Sequence, residues 1–193
     1  QLDSLALNSN GITVSQQRPT RLRLENGSLS VVDWMWTRPG WDDISLSVAG
    51  DIELVNRHQL DLRLDSQLQL PWLAPLIGAG ALRGAASATV GVTGTVAEPT
   101  FDGRIELADV GFAVADPQLV VSDVDGTLTI ADRMVHTDGL EGIVNGGQAM
   151  LLLDLDLTEP MSPVGLAGLT VRSIVVEGGG GRALSDADVT VRA

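Results

Sequence analysis

QLDLRLDSQLQL, residues 59–70, constrains the fold of this chain more than any other stretch. Leu60, Leu62, Leu64, Leu68 and Leu70 take the even positions, while Gln59, Asp61, Arg63, Asp65, Gln67 and Gln69 take the odd ones. Successive side chains of a strand point to opposite faces, so this pattern is a strand with one aliphatic and one wetted face. Ser66 alone breaks the alternation. Twelve residues make one strand of roughly 40 Å, or two shorter ones with a bend at Asp65–Ser66.

The same period returns in AMLLLDLDL (149–157), where Leu151, Leu153, Leu155 and Leu157 share one side and Asp154 and Asp156 the other. It recurs in residues 20–31, 44–54, 103–107, 126–130 and 169–176, punctuated by Asn-Gly, Asp-Gly and Pro turn signals. Three similar phrases, Gly50-Asp-Ile-Glu-Leu, Gly103-Arg-Ile-Glu-Leu and Gly126-Thr-Leu-Thr-Ile, each read as the start of a strand. Their spacing is unequal, which fits repetition of a strand type and not of a solenoid unit. Only PWLAPLIGAGALRGAA (71–86) reads as helical, with Pro71 near its start and Gly78 or Gly80 near its end. The expectation is an all-β chain with at most one short helix near 71–80.

Charge narrows the partners. The chain of 193 residues carries 25 acidic and 12 basic residues, every basic one an arginine, for a net charge of −13. Nucleic acid and anionic membrane surfaces repel such a protein. It has no cysteine, which excludes disulfides, thiol nucleophiles and thiolate metal sites. The longest apolar run, residues 71–82, contains two prolines and is well short of the roughly 18 residues of a membrane span. QLDSLALNSN has neither the basic nor the apolar region of a signal peptide, so the chain is expected to begin after a removed leader or inside a longer protein.

One motif points to chemistry. Asp123-Val-Asp125-Gly126-Thr127 is similar to the nucleophile loop of haloacid-dehalogenase-type phosphatases, which would make Asp123 the nucleophile and Asp125 the acid. That chemistry requires the end of a parallel strand, whose residues form a continuous apolar run, with helices covering the sheet. It also uses a basic residue, usually lysine, on the phosphoryl group. The strands here alternate, no amphipathic helix follows, and the chain has no lysine. The simpler reading is a turn at Asp125–Gly126 with both carboxylates in water.

The remaining signals are weaker. His58 and His136, the only histidines, have no metal-ligand spacing and read as solvated, His58 in a turn and His136 on a strand. Trp34 and Trp36 share a parity and read as packing on the aliphatic face. Gly178 to Gly181 reads as a loop or chain break, since no helix or lysine follows to make a phosphate cradle. No metal, cofactor or catalytic residue is expected, and the chain is read as non-enzymatic.

The apolar faces are made of Leu, Ile, Val and Met with few rings. Two such faces could pack about 10 Å apart in a structural or adhesive β-sandwich or solenoid. Alternatively, one curled sheet could leave its face open as a groove. Periodicity does not separate these.

Residues 80–114, GALRGAASATVGVTGTVAEPTFDGRIELADVGFAV, resemble the characteristic unit of the TamB family and its AsmA-like relatives. LPWLAPL (70–76) matches its Leu-Pro-type segment, Gly94-Thr95-Val96-Ala97-Glu98-Pro99 its turn, and Asp102-Gly103-Arg104-Ile105-Glu106-Leu107 its following strand. VSDVDGTLTI and GIVNGGQAMLLLDLDL then follow in the family's order, so the likeness covers roughly residues 68–157.

The resemblance implies a long, curled antiparallel or mixed sheet forming an open, taco-like apolar groove. It implies one segment, residues 1–193, of a longer periplasmic protein anchored in the bacterial inner membrane. Such proteins conduct phospholipids toward the outer membrane and support its biogenesis. The implied partners are acyl chains, an outer-membrane barrel of the TamA type and the remaining segments of the same chain. Strand parity then assigns Leu60, Leu62, Leu64, Leu68, Leu70, Ile105, Leu107, Leu128, Ile130, Leu151, Leu153, Leu155 and Leu157 to the groove wall.

Overall fold

The alternation is realised as strand throughout a computed structural model described over residues 2–9, 12–38, 41–55, 57–74, 81–114, 119–156, 158, 164–178 and 181–192. Thirteen strands follow one another: β1 Ala6–Ser9, β2 Ile12–Gln16, β3 Arg21–Glu25, β4 Ser28–Arg38, β5 Trp41–Glu53, β6 Gln59–Gln69, β7 Ala81–Thr95, β8 Pro99–Val114, β9 Leu119–Ala131, β10 Met134–Val144, β11 Gly147–Asp156, β12 Val164–Gly178 and β13 Gly181–Arg192. The chain is all-β, an antiparallel sheet with an open strand order. That order is the order of the chain except that β2 and β3 share one edge of β4.

Hairpin chemistry explains the sequential order. Asn26–Gly27, Asp132–Arg133 and Asn145–Gly146 each have positive φ at both residues (50° and 78°, 50° and 64°, 47° and 83°). Type I′ turns require this, and their twist matches that of the strands they join. They connect β3 to β4, β9 to β10 and β10 to β11. Thr95 and Glu98 close the β7–β8 hairpin by exchanging backbone hydrogen bonds of 3.2 Å, and the Glu98 N–H also donates to Thr95 Oγ1 at 3.0 Å. Gly178 pairs with Gly181 at the β12–β13 connection, so the glycine run links two strands.

Two expectations change. The helix expected near 71–80 is reduced to a single 3₁₀ turn at Leu70–Leu73, residues 75–80 lie outside the described residues, and 81–86 are already strand β7. Small residues there carry no period, which hides a strand from a pattern reading. Second, Gly50, Gly103 and Gly126 do not begin strands but lie inside β5, β8 and β9. Glycine inside a strand marks a close backbone approach. A Cβ on Gly126 would stand 2.7 Å from Leu140 Cδ2 and 2.8 Å from the Gly139 carbonyl oxygen.

The chain divides into two compact units, residues 1–68 with 87–104, and residues 69–86 with 105–193. In the first, directly opposed positions build one aliphatic face: Leu22, Val31, Gly50 and Leu62 form a row, Leu24, Leu29, Ile52 and Leu60 a second, and Trp34, Val48 and Leu64 a third. In the second, Ile130, Val135, Leu155 and Gly165 form one row and Leu140, Leu151, Leu169 and Val189 another.

These rows depend on bulges. Val31 is opposite Gly50 and Trp34 opposite Val48, so β4 holds one residue more than β5 between them. β9 gains one at Asp123, β10 one between Thr137 and Leu140, and β12 one between Val171 and Ile174. Asp33, Asp123 and Ser173 have φ of 52°, 53° and 62°, and Asp109 in β8 has 52°. An extra residue bends the strand, increases its twist and resets which parity faces which side. The Asp123–Gly126 segment is therefore a bulged strand interior, which corrects the turn expected at Asp125–Gly126.

Burial is shallow. Among the described residues only Val31, Trp36, Leu70, Val92, Leu140 and Val171 are buried hydrophobics, with Thr20 and Thr137 as buried polar residues. Thr137 is satisfied locally, its Oγ1 accepting the Gly139 N–H at 3.1 Å.

Candidate functional site

The surface with most chemical potential is the aliphatic face of each unit. Of the residues assigned to it by parity, Leu60, Leu62, Leu64 and Leu68 are half-buried on β6. Leu128 and Ile130 on β9, Leu151, Leu153 and Leu155 on β11, and Ile105 and Leu107 on β8 are likewise half-buried. Leu70 leaves the strand for the 3₁₀ turn and is buried, and Leu157 lies outside the described residues. Ser66 sits opposite Leu46 in an unbroken β6, without a bend.

Half-burial here arises from neighbours in the same layer. A sandwich core would bring its facing aliphatics close to full burial, and only a handful of the described residues reach that. A shallow depression of about 270 Å³ lined in part by Leu82, Phe112 and Val121 lies in the second unit.

The face also takes in Val135 and Leu140, which no period marked, with Leu169 and Val171 beside them in the second unit and Val31, Trp34 and Trp36 in the first. Trp34 and Trp36 hold their ring centroids 5.2 Å apart at 44°, an aromatic pair within packing distance. The missed signal was an apolar residue repeated after three positions across an Asp or Ser, as in Val31-Val-Asp-Trp34, Leu107-Ala-Asp-Val110, Val121-Ser-Asp-Val124 and Val171-Arg-Ser-Ile174.

The opposite face is acidic and hydrogen-bonded. Asp65 accepts from Arg63 Nε at 2.9 Å and Thr89 Oγ1 at 2.8 Å, and the Arg63 bond chiefly holds its carboxyl below the ordinary range. Asp123 accepts from Ser122 Oγ and Arg83 Nη2, both at 2.8 Å, which lower its pKa in that order of importance. Asp123 and Asp125 thus stand in the middle of an antiparallel strand, away from the strand terminus that a phosphoryl-aspartate loop requires. His58 lies between β5 and β6, and its carbonyl accepts the Val96 N–H at 3.0 Å. His136 on β10 bridges Asp154 through Nδ1 at 2.5 Å and Asp138 through Nε2 at 3.0 Å, which raises its pKa, Asp154 contributing most. Among the described residues no group of three or more histidine and acidic side chains is arranged to hold a metal.

The outer face is not uniformly polar. Met150 and Leu152 on β11 and Leu166 on β12 point away from the aliphatic rows and are 40–46% exposed. No family model, curated protein or solved structure matches the chain.

Proposed function

We propose that the chain is a non-enzymatic, lipid-conducting segment of a longer periplasmic protein of the TamB or AsmA-like kind, its aliphatic faces curling into a groove for phospholipid acyl chains. The observation that carries this reading is the half-exposed state of ordered rows of Leu, Ile and Val running across successive strands. Exposed apolar surface beyond a few hundred Å² marks a binding surface. Each acyl methylene removed from water contributes about 0.8 kcal/mol, so two tails bind firmly without a specific polar contact. Aliphatic walls without hydrogen-bonding groups present few barriers to sliding. The acidic opposite face keeps the sheet in water and away from anionic leaflets. In this reading an outer-membrane barrel of the TamA type and further segments of the same protein continue the path.

Native mass spectrometry of the chain purified without harsh detergent tests the reading. Phospholipid adducts are expected, and Leu62→Asp and Leu153→Asp, which place a charge on the aliphatic face of each unit, should reduce them severalfold. A lipid-free chain, or adducts insensitive to both substitutions, would count against it.

A further inference from the structure

Each bulge breaks the ladder and leaves a backbone N–H in need of an acceptor. The same need arises at the left-handed residue Asp109 of β8, and there and at the β12 bulge an aspartate of the next strand supplies the acceptor. The Asp109 N–H donates to Asp125 Oδ1 at 3.0 Å, and the Ser173 N–H donates to Asp186 Oδ1 at 2.9 Å. Both donors are non-glycine residues in the left-handed region, with φ of 52° and 62°. That conformation is strained and persists only where its surroundings hold it.

A strand that lost its bulge would move by one residue, and a slip of one turns every following side chain to the other face. In β8, Ile105 and Leu107 precede the irregular residue and Val110 and Phe112 follow it, all four half-buried while Ala108 and Asp109 between them are exposed. In β12, Leu169 and Val171 precede Ser173. Polar residues on the acidic face thereby decide the composition of the aliphatic one.

We propose that Asp125 and Asp186 are latches: their carboxylates lock the left-handed backbone at Asp109 and the bulge at Ser173 and so fix which side chains of β8 and β12 belong to the aliphatic face. The bulge at Asp123 is held by a different device, the Arg83 guanidinium on its own carboxylate. The latch proposal stands whether or not the face binds lipid; if it does, the latches set the lining.

Amide hydrogen exchange followed by NMR on the full chain provides the test. Asp125→Ala should speed exchange at the Asp109 amide by about tenfold, the effect of losing one charge-assisted hydrogen bond. Asp186→Ala should do the same at Ser173 and leave Asp109 unchanged. Asp125→Asn, which keeps an acceptor oxygen, should retain most of the protection, and Asp188→Ala on the same strand as Asp186 should alter neither amide. Unchanged protection at Asp109 in Asp125→Ala overturns the proposal, as does loss spread evenly over all strands. Should Asp125→Ala fail to fold, Asp125→Glu, which displaces the acceptor, gives the same reading: a protected Asp109 amide contradicts the latch.

Discussion

Val31 and Trp34 face the same side of β4 although they are three residues apart, because Val31 is opposite Gly50 and Trp34 opposite Val48. Asp33 is the residue that makes this possible, at φ 52°. The arrangement recurs in β9, β10 and β12, so the aliphatic face is assembled from half-strands of opposite parity joined by bulges. Bulges also bend and twist a strand. One structural device therefore serves both face composition and strand curvature.

The bulge account makes a counter-intuitive prediction about deletions. Removing Asp123 takes out the extra residue and leaves Val121 and Val124 in ordinary alternation on one face. It also removes the exposed Arg83–Asp123 pair, which water screens, so the total cost is expected to be small. Removing Thr127, four residues on, turns Leu128 and Ile130 over relative to Val124 and is expected to cost several times more, on the order of 4 kcal/mol. Urea unfolding of the two deletions checks the ranking, and equal costs would refute it.

Glycines separate two kinds of constraint. Gly126 has φ 147° and a Cβ there would meet both the Leu140 side chain and the Gly139 carbonyl, so Gly126→Ala should destabilise by on the order of 3 kcal/mol. Gly146, at φ 83°, has nothing within 4 Å of such a Cβ. Gly146→Ala should therefore cost only its backbone strain, about 1 kcal/mol. Thermal unfolding of the two variants distinguishes them.

His136 gives the pH dependence a sign. Its bonds to Asp154 and Asp138 raise its pKa above the ordinary 6.5. A folded-state pKa above the unfolded one means that the cation's stabilisation is complete below about pH 6.5. That stabilisation is lost as pH rises through the folded value. The melting temperature should thus fall as pH rises above about 6.5, and His136→Gln should flatten this part of the profile. At the acid end, Asp65, Asp123 and Asp156 have lowered pKa values, so their contribution is present above 3.8 and is lost as pH falls below it.

Much of this architecture was legible in the residues. The alternation of residues 59–70 and 149–157 appears, over the described residues, as β6 and β11. Asn26–Gly27 and Asn145–Gly146 turn as their φ preferences require. Asp125–Gly126 does not, because glycine was needed there for close approach to β10 and not for a hairpin. The dipeptide alone does not separate these uses. The start of β7 escaped notice because Gly84, Ala85 and Ala86 carry no period. Trp34 and Trp36 read onto the aliphatic face and Val31 and Val171 fell in alternating stretches, but the slips that join them to their half-strand partners, and that bring Leu140 to the face, leave no period to read.

Leu152 and Leu153 are adjacent on β11 and face opposite sides, Leu152 beside Gly168 and Leu153 beside Ala167. A photo-reactive amino acid at each, in cells making the chain, compares the two faces under identical conditions. The lipid-groove account predicts phospholipid crosslinks from position 153 and few or none from 152. Equal labelling from both positions, or none from 153, would contradict it.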